Sequence, residues 1–443
     1  MLDWLLDRLA AAADQPAIAE GPDVRTYAEL LERVGGWRQA LAGREVLGRV
    51  VSIEGDYGLE AIAALLAASN AGNIIIPIST ASRAHLDEWL AVGEVEYRVR
   101  PGSGEAIVAT GRRATHAYYE RLRRDASPGL VLFSSGSSGL HKAAVHDLGA
   151  LLEKCVVRRF CYRTLVFLQL DHIGGLNTLF YTLSNSGTVV VAPSRMPDDV
   201  CETIARHRVE LLPTSPTFLN LLLLSEAHQR HDLSSLKLIT YGTEPMPELT
   251  LQKIHAIFPQ VGLLQTYGMS ELGILRSRSR GPNSLWMRVG GEGFETKVVN
   301  GRLWIKARSA MLGYLNAPSP FDEEGFFDTG DLVEADGEWL RILGRTSDVI
   351  NVGGNKVFPA EVENALLELD NVEDVAVRGE SNPLTGQAVV ADVRLASAEP
   401  AATFKTRMRR FCRDRLAPHQ IPVKVRFLDS VHSERFKKVR TAG

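Results

Sequence analysis

The strongest constraint on the fold is a regular alternation of short apolar runs and helical patterns along most of the chain. The β-branched runs at residues 49–53 and 73–78 enclose a helical pattern at residues 59–71, with Ile62, Leu65 and Leu66 on one face. Further apolar runs follow at residues 130–133, 165–170, 188–192, 236–241 and 261–265. Uninterrupted apolar strands separated by helices predict largely parallel sheets that helices cover on both faces.

The pattern changes beyond Glu295. Short strands divided by Gly and Asn/Asp turns, which predict a small antiparallel β subdomain, occupy residues 296–299, 302–306 and 338–342. A last unit contains two helical and two strand patterns, at residues 359–369, 403–416, 372–377 and 388–395. We therefore expect an α/β protein. Its large N-terminal domain, residues 1–344, combines mostly parallel sheets flanked by helices with the antiparallel subdomain, and residues 345–443 form a small α+β domain.

Composition excludes several classes of protein. The 443 residues are 45% hydrophobic and 23% charged, typical of a globular chain with a sizeable core. A formal net charge of -3 makes nucleic acid an unlikely partner on electrostatic grounds. Four cysteines, none in a C-x-x-C pair, argue against a disulfide framework or a cysteine-ligated zinc.

The N-terminus has apolar residues at helical spacing, namely Leu2, Leu5, Leu6 and Leu9. Acidic residues interrupt it and no basic segment precedes it, so an amphipathic helix is favoured over a signal peptide. All apolar runs are far shorter than the ~18 residues of a membrane span. We expect a cytoplasmic protein without a membrane span.

Residues 130–142, LVLFSSGSSGLHK, place a Ser/Gly turn directly after an apolar strand and close it with a lysine. Glycines allow consecutive N–H groups to converge on an anion, and serine hydroxyls add donors. A Ser/Gly linker, the alternative interpretation, rarely follows a buried strand directly. A Walker loop is excluded because His141 and Ala143 flank the lysine. The pattern predicts phosphate binding by Ser134, Ser135, Gly136, Ser137, Ser138, Gly139 and Lys142.

This segment resembles the phosphate loop of the adenylate-forming (AMP-binding) superfamily, which includes acyl- and aryl-CoA synthetases, peptide-synthetase adenylation domains and luciferases. That loop usually reads Thr-Ser-Gly-Thr-Thr-Gly-x-Pro-Lys. Here Ser134, Ser137 and Ser138 replace threonines and keep the hydroxyl, whereas His141 replaces proline.

Residues 266–271, TYGMSE, are similar to the family's Tyr-Gly-x-Thr-Glu block. The resemblance implies that Tyr267 stacks on adenine beside Gly268, that Ser270 bonds the α-phosphate and that Glu271 holds Mg²⁺.

Other blocks occur in the family's order. Residues 241–245, YGTEP, resemble the turn that contacts adenine, which implies nucleotide contacts for Gly242, Thr243 and Glu244. The Thr-Gly-Asp tripeptide ending at Asp331 and the Gly-Arg pair ending at Arg345 resemble the two ribose-binding blocks.

The implied chemistry explains these residue types. A carboxylate that attacks the α-phosphate of ATP is an anion approaching a polyanion, so cations and oriented donors are needed wherever negative charge gathers. The acid is already ionised at pH 7, so no Ser/His/Asp set is required.

The family's catalytic lysine lies in a terminal Gly-Lys-Val/Ile block. Residues 433–440, SERFKKVR, resemble it, with Lys438 as the catalytic lysine and Lys437 at the usual glycine position. A solvated basic tail is the alternative interpretation.

Residues 348–363 resemble the family loop that enters the site during thioester formation, when the small domain swings between two poses. Gly353 and Gly354 would line the pantetheine tunnel, and Ser347 aligns with the pivot residue, usually Asp or Lys. Asn351 stands where the family often has lysine.

His172 follows an apolar run and precedes a Gly-rich helix start. A lone histidine is more often structural. In the family's acyl- and aryl-CoA synthetases, however, a His here flanks the carboxylate site. Asp171 could imitate the Asp with which amino-acid adenylating domains grip an amino group, but the His-x-Gly-Gly pattern favours acids without an α-amine.

The resemblance implies an acid–thiol ligase that uses ATP and Mg²⁺, forms an acyl-adenylate from a small carboxylic acid and passes the acyl group to the pantetheine thiol of coenzyme A. One alternative acceptor is the phosphopantetheine of an acyl or peptidyl carrier protein. Another alternative is a non-catalytic adenylate-binding homologue, which would explain the departures at His141, Ser347, Asn351 and Lys437.

Overall fold

The structure, a computed structural model, describes residues 2–135, 141–429 and 431. Its first large sheet is parallel except for the last strand, which pairs antiparallel. In spatial order its strands are Gly262–Gln265, Leu238–Tyr241, Leu211–Thr214, Arg163–Leu165, Thr188–Val191, Pro16–Glu20 and Asp23–Thr26.

The second large sheet has a parallel centre and antiparallel edges. Its strands, in spatial order, are Gly313–Tyr314, His141–Asp147, Gly129–Ser135, Ile74–Ile78, Val50–Glu54, Tyr97–Val99 and Ile107–Ala109. The antiparallel return of His141–Asp147 along Gly129–Ser135 was not predicted from the sequence.

Helices cover both sheets, and two of them, Leu59–Asn70 and Ile173–Ser184, share one apolar cluster with residues of both sheets. Both are buried on nearly every face, as their near-continuous apolar sequences require. The other helices of this region are Asp3–Ala10, Tyr27–Ala42, Leu86–Val92, Ala117–Arg124, Leu148–Val156, Pro197–His207, Pro216–Ser225, Ala227–Arg230 and Glu248–Ile257, with a 3₁₀ turn at Thr80–His85.

The antiparallel part has a hairpin, Tyr267–Met269 with Gly273–Leu275, and a six-stranded sheet. The strands of that sheet are Ser277–Ser279, Trp286–Val289, Trp339–Arg345, Phe327–Asp336, Arg302–Ala307 and Phe294–Val299, in spatial order.

The last described part is an α+β unit. Its strands are Asn355–Val357, Ile350–Val352, Gly386–Leu395, Val372–Asn382 and Lys424–Phe427, its helices are Pro359–Leu367 and Ala401–Cys412, and 3₁₀ turns occur at Thr346–Asp348 and Pro418–Gln420. Apolar residues of both helices and of the sheet form a separate cluster that includes Leu366, Val377 and Phe404. The α/β fold class with these three parts is confirmed, whereas the boundary at residue 344/345 stays a prediction.

One predicted strand is displaced in the structure, and the predicted N-terminal helix is found where expected. The strand predicted over residues 165–170 is Arg163–Leu165 instead, because the chain beyond Val166 leaves the sheet as partly buried coil that leads into the next helix. The predicted N-terminal helix, Asp3–Ala10, is present, with Leu5 and Leu9 fully buried in the main core. Within the described ranges no helix combines the length and apolar character needed to cross a bilayer.

Candidate active site

A cavity of about 220 Å³ opens where three parallel strands of the first sheet end, close to the end of the strand Gly129–Ser135. This edge is where open α/β sheets usually bind ligands. Eight of the predicted site residues, drawn from five separate segments, line it: Ser134, His172, Gly242, Thr243, Gly268, Ser270, Glu271 and Arg345.

The Ser/Gly turn joins two antiparallel strands. Ser134 pairs with Lys142 and Ser135 with His141 in this ladder. The Lys142 ammonium lies 5.2 Å from the centroid of the Tyr314 ring. Gly136, Ser137, Ser138 and Gly139 lie outside the described residues, so their predicted phosphate contacts stay predictions.

His141, which replaces the proline of the family loop, is held by contacts of both its side chain and its backbone. Its Nδ1 lies 3.3 Å from Glu88 Oε1, and its ring centroid lies 4.3 Å from that of His85. The side chain of Asn316 donates to the His141 carbonyl (2.7 Å) and accepts from the Ala143 amide (3.0 Å). These contacts fix the point at which the turn rejoins the sheet.

The turn that carries Ser270 and Glu271 closes the hairpin between Tyr267–Met269 and Gly273–Leu275. Three consecutive carbonyls of this turn accept hydrogen bonds: Ser270 O from His146 Nε2 (2.5 Å), Glu271 O from the Met311 amide (2.8 Å) and Leu272 O from Ser309 Oγ (2.7 Å). The backbone of the turn is therefore held from outside the hairpin, which orients the two side chains.

His146 is fully buried, and burial lowers the pKa of its imidazole to about 4. The ring is therefore neutral near pH 7, and its Nε2–H donates to the Ser270 carbonyl. No local sequence pattern predicts this role, because His146 lies 124 residues before Ser270.

Glu271 accepts a hydrogen bond from Tyr314 Oη through its Oε1 (2.7 Å). Burial and the neighbouring Glu271 charge raise the pKa of Tyr314, which keeps that hydroxyl protonated and donating. Carboxylate oxygens together with substrate phosphates are the ligands that Mg²⁺ prefers. Glu271 lines the cavity, and Tyr314, its partner, is neutral, so the carboxylate keeps its negative charge available for the predicted Mg²⁺.

Tyr267, Asp331 and Arg345 form one network beside the cavity. Tyr267 Oη donates to Asp331 Oδ2 at 2.5 Å, and Arg345 Nε lies 3.3 Å from Asp331 Oδ1. Burial raises the pKa of Asp331, while Arg345 and Tyr267 favour its charged form. Arg345 lines the cavity directly, whereas the other two are buried behind its wall.

The turn after Leu238–Tyr241 approaches the next strand closely. A Cβ at Gly242 would lie 2.6 Å from Thr266 Oγ1 and 2.7 Å from Thr266 O, so only glycine fits. Thr243 has a φ of 74°, an unusual backbone conformation for a β-branched residue that often marks a functional turn. Glu244 does not line the cavity, because its Oε1 accepts from the Thr217 amide (2.8 Å).

His172 lies at the N-terminus of the helix Ile173–Ser184, and its Nδ1 accepts from the Gly174 amide at 3.3 Å. Asp171 is buried outside the cavity lining. Its carboxylate accepts hydrogen bonds from the hydroxyls of Ser79 (2.7 Å) and Ser82 (2.5 Å). The carboxylate of Asp171 is therefore a structural acceptor rather than part of the cavity wall.

The residues predicted for the thioester step lie apart from the cavity lining. Ser347 is in the 3₁₀ turn Thr346–Asp348 and donates to Asp348 Oδ1 (2.9 Å). Gly353 and Gly354, with φ of 57° and 86°, form the turn between Ile350–Val352 and Asn355–Val357. Lys438 lies outside the described residues.

Comparison with known proteins identifies the family. Residues 103–315 match the AMP-binding enzyme family, and residues 361–438 match the AMP-binding enzyme C-terminal domain. The chain is 30% identical to indoleacetate–CoA ligase of Aromatoleum aromaticum over 340 residues, which cover 71% of this chain and 66% of that protein.

Two further similarities extend over almost the whole chain. It is 25% identical to 2-succinylbenzoate–CoA ligase of Geobacillus kaustophilus, over 97% of this chain and 94% of that protein. The structure of o-succinylbenzoate CoA synthetase of Bacillus subtilis, with an acyl-adenylate, has the same fold at a TM-score of 0.78 and 22% identity, covering 99% of this chain and 96% of that one. The chain therefore belongs to the adenylate-forming AMP-binding enzyme family and is a ligase of the acyl-CoA synthetase type.

Proposed function

We propose that the protein joins a carboxylic acid without an α-amino group to AMP in a reaction that requires Mg²⁺, and then transfers the acyl group to the thiol of coenzyme A. One observation carries the proposal. The end of the Ser/Gly strand, the Ser270–Glu271 turn, the Gly242–Thr243 turn, Arg345 and His172 all line a single cavity at the carboxyl ends of parallel strands.

In the first step an oxygen of the ionised acid attacks the α-phosphorus of ATP, and the bond to the β-phosphate oxygen breaks, which releases pyrophosphate. Ser270 would donate to the α-phosphate, and Ser134 and Lys142 would orient the departing phosphates. Glu271 would hold Mg²⁺, whose charge offsets the negative charge that gathers on the phosphates. The C-terminal Lys438 would add a positive charge near the reacting oxygens.

The nucleoside would lie between the Gly242–Thr243 turn and the part of the cavity wall behind which Tyr267 is buried. The bond from Tyr267 to Asp331 and the nearby Arg345 support a rigid ribose site, since two donors already orient the carboxylate. Gly242 lines the cavity without a side chain, which supports contact between its backbone and a planar base.

The acid would approach beside His172. With Asp171 engaged by Ser79 and Ser82, the described cavity wall offers no carboxylate there to bind an α-ammonium group. This supports a simple carboxylic acid over an amino acid as substrate.

For the second step, the Gly353–Gly354 turn and the pivot at Ser347 would move when residues 345–443 change pose. The acceptor would be coenzyme A, as in the named CoA ligases to which the chain is similar. Transfer to a carrier protein is the competing outcome.

Acid-dependent exchange of labelled pyrophosphate into ATP tests the first step, with a panel of aryl, arylalkyl and aliphatic acids and with Mg²⁺ present or chelated. We expect exchange that needs both an acid and Mg²⁺. Mass analysis after addition of coenzyme A, or of a phosphopantetheinylated carrier, then identifies the acceptor. No exchange with any acid would contradict the proposal and favour a non-catalytic adenylate-binding protein.

A further inference from the structure

A second cavity, of about 280 Å³, adjoins the first on the same face of the first sheet. The two cavities share six lining residues: Asn177, Thr178, Pro213, Thr240, Thr266 and Ile274. The second cavity is therefore a continuation of the space beside His172 rather than a separate pocket.

The strand register gives the direction of this continuation. Leu238, Thr240 and Gly242 alternate onto one face, and Leu238 and Thr240 pair with Leu211 and Pro213 of the neighbouring strand. Gly242 lines the first cavity and Leu238 the second. Four residues at about 3.3 Å each place these two ends ~13 Å apart.

The second cavity combines an apolar floor with cationic side chains. Leu211, Leu238 and Leu264 form the floor along the sheet. Lys154, Arg159 and Arg276 line the second cavity but not the first. Among the residues described as lining this second cavity there is no Asp or Glu, so their positive charges have no partner within it.

Lys154 is the best placed of the three cations. Its Nζ donates to the Ile274 carbonyl at 2.6 Å, which fixes the side chain and leaves two of its three N–H donors for a ligand. Burial, together with the nearby Arg276 and Arg159, lowers the pKa of Lys154 to about 8. A bound anion would relieve this repulsion.

We propose that the acid activated by this enzyme is a dicarboxylic acid, whose second carboxylate binds Lys154 and Arg276 and whose spacer is apolar, aromatic or aliphatic. The inference rests on the proposed function, since it places the reacting carboxylate beside His172. The half-buried Lys154 disfavours a neutral group of the same shape, because its donors would then lose water without gaining a charged acceptor.

The test compares isosteric pairs of acids in pyrophosphate exchange. One pair is 3-(4-carboxyphenyl)propanoate and 3-(4-carbamoylphenyl)propanoate, and the other is suberate and its monoamide. We expect kcat/KM to be about tenfold or more higher for the diacid of at least one pair. Equal values within both pairs would overturn the inference.

Two variants connect the preference to this cavity. Lys154→Met and Arg276→Gln should each reduce the diacid-to-amide ratio about tenfold, whereas Arg278→Gln, a neighbouring exposed arginine outside the cavity lining, should keep it. If Lys154→Met fails to fold because its bond to Ile274 is lost, the Arg276→Gln variant provides the test, since Arg276 is exposed.

A diacid preference that both variants retain would overturn the assignment of the second carboxylate to this cavity. Exchange with monocarboxylic acids but without diacid preference would overturn the inference and leave the proposed function intact. Absence of exchange with every acid would overturn both.

Discussion

Glu271 is oriented by contacts that come from two other parts of the chain. Tyr314 binds its carboxylate, Met311 binds its carbonyl, and His146 holds the preceding carbonyl of Ser270. Side chains preorganised in this way act on developing charge without first having to reorient. The position of one carboxylate therefore depends on residues that no local motif contains.

Glu271→Gln should lower acid-dependent pyrophosphate exchange by roughly 10²–10³-fold, because the amide keeps the shape but loses the charge that would hold Mg²⁺. ATP binding, measured by equilibrium dialysis, should persist. Glu292→Gln, whose side chain is 83% exposed, serves as the control. Unchanged exchange in Glu271→Gln would contradict the metal role.

His146 gives a prediction for stability against pH. Its folded pKa of about 4 is below the unfolded value of about 6.5, so between these values only the unfolded chain takes up the proton. The free energy of unfolding should therefore fall as pH drops from 6.5 towards 4, by on the order of 3 kcal/mol from this group.

Urea unfolding at several pH values between 4.5 and 7.5 measures this effect. His146→Gln keeps a donor for the Ser270 carbonyl but cannot be protonated. The free energy of unfolding of this variant should depend less steeply on pH, with close to one proton fewer taken up on unfolding. Identical slopes for the variant and the wild type would show that His146 is not buried as a neutral ring.

At the scale of elements, the start of the helix Ile173–Ser184 brings His172 to the cavity. The first turn of this helix lies very close to the preceding coil. A Cβ at Gly175 would be 1.9 Å from Gln169 O and 2.6 Å from Tyr57 Oη. The Gly-rich sequence after His172 is therefore explained by close packing at the helix start.

Gly175→Ala should destabilise the protein by about 1–3 kcal/mol, since the backbone of Gln169 must move to make room. Gly36→Ala is a matched control, because Gly36 lies inside the helix Tyr27–Ala42 with no atom within 4 Å of the added Cβ. That change should stabilise by about 1 kcal/mol. Thermal unfolding of both variants measures the difference, and equal shifts would contradict the close approach.

At the scale of the whole molecule, we propose that residues 345–443 act in two poses, one for each step of the proposed reaction. Lys438→Ala should then cripple adenylation yet spare thioester formation from a supplied acyl-adenylate, because the terminal block acts in one pose only. Single-turnover assays of each half-reaction measure this. Equal loss in both steps would count against the two-pose mechanism.

Lys437→Ala is the matched control for the register of that block. If Lys438 is the catalytic lysine, the neighbouring change should leave adenylation near the wild-type rate. The reverse result would move the catalytic role by one residue.

The sequence alone determined the fold class, the family and many of the strands and helices, because these depend on apolar periodicity and on short motifs that are local in the chain. The turns at Ser134, Gly242 and Ser270 could be read in this way, and the structure brings them to one cavity.

The tertiary structure decided what surrounds those motifs. The roles of His146 and Tyr314, the engagement of Asp171 and Glu244 away from the cavity, and the position of Lys154 in the second cavity all depend on contacts between residues far apart in sequence. Burial and charge at such contacts arise only when distant segments pack together, so periodicity and local motifs carry no information about them.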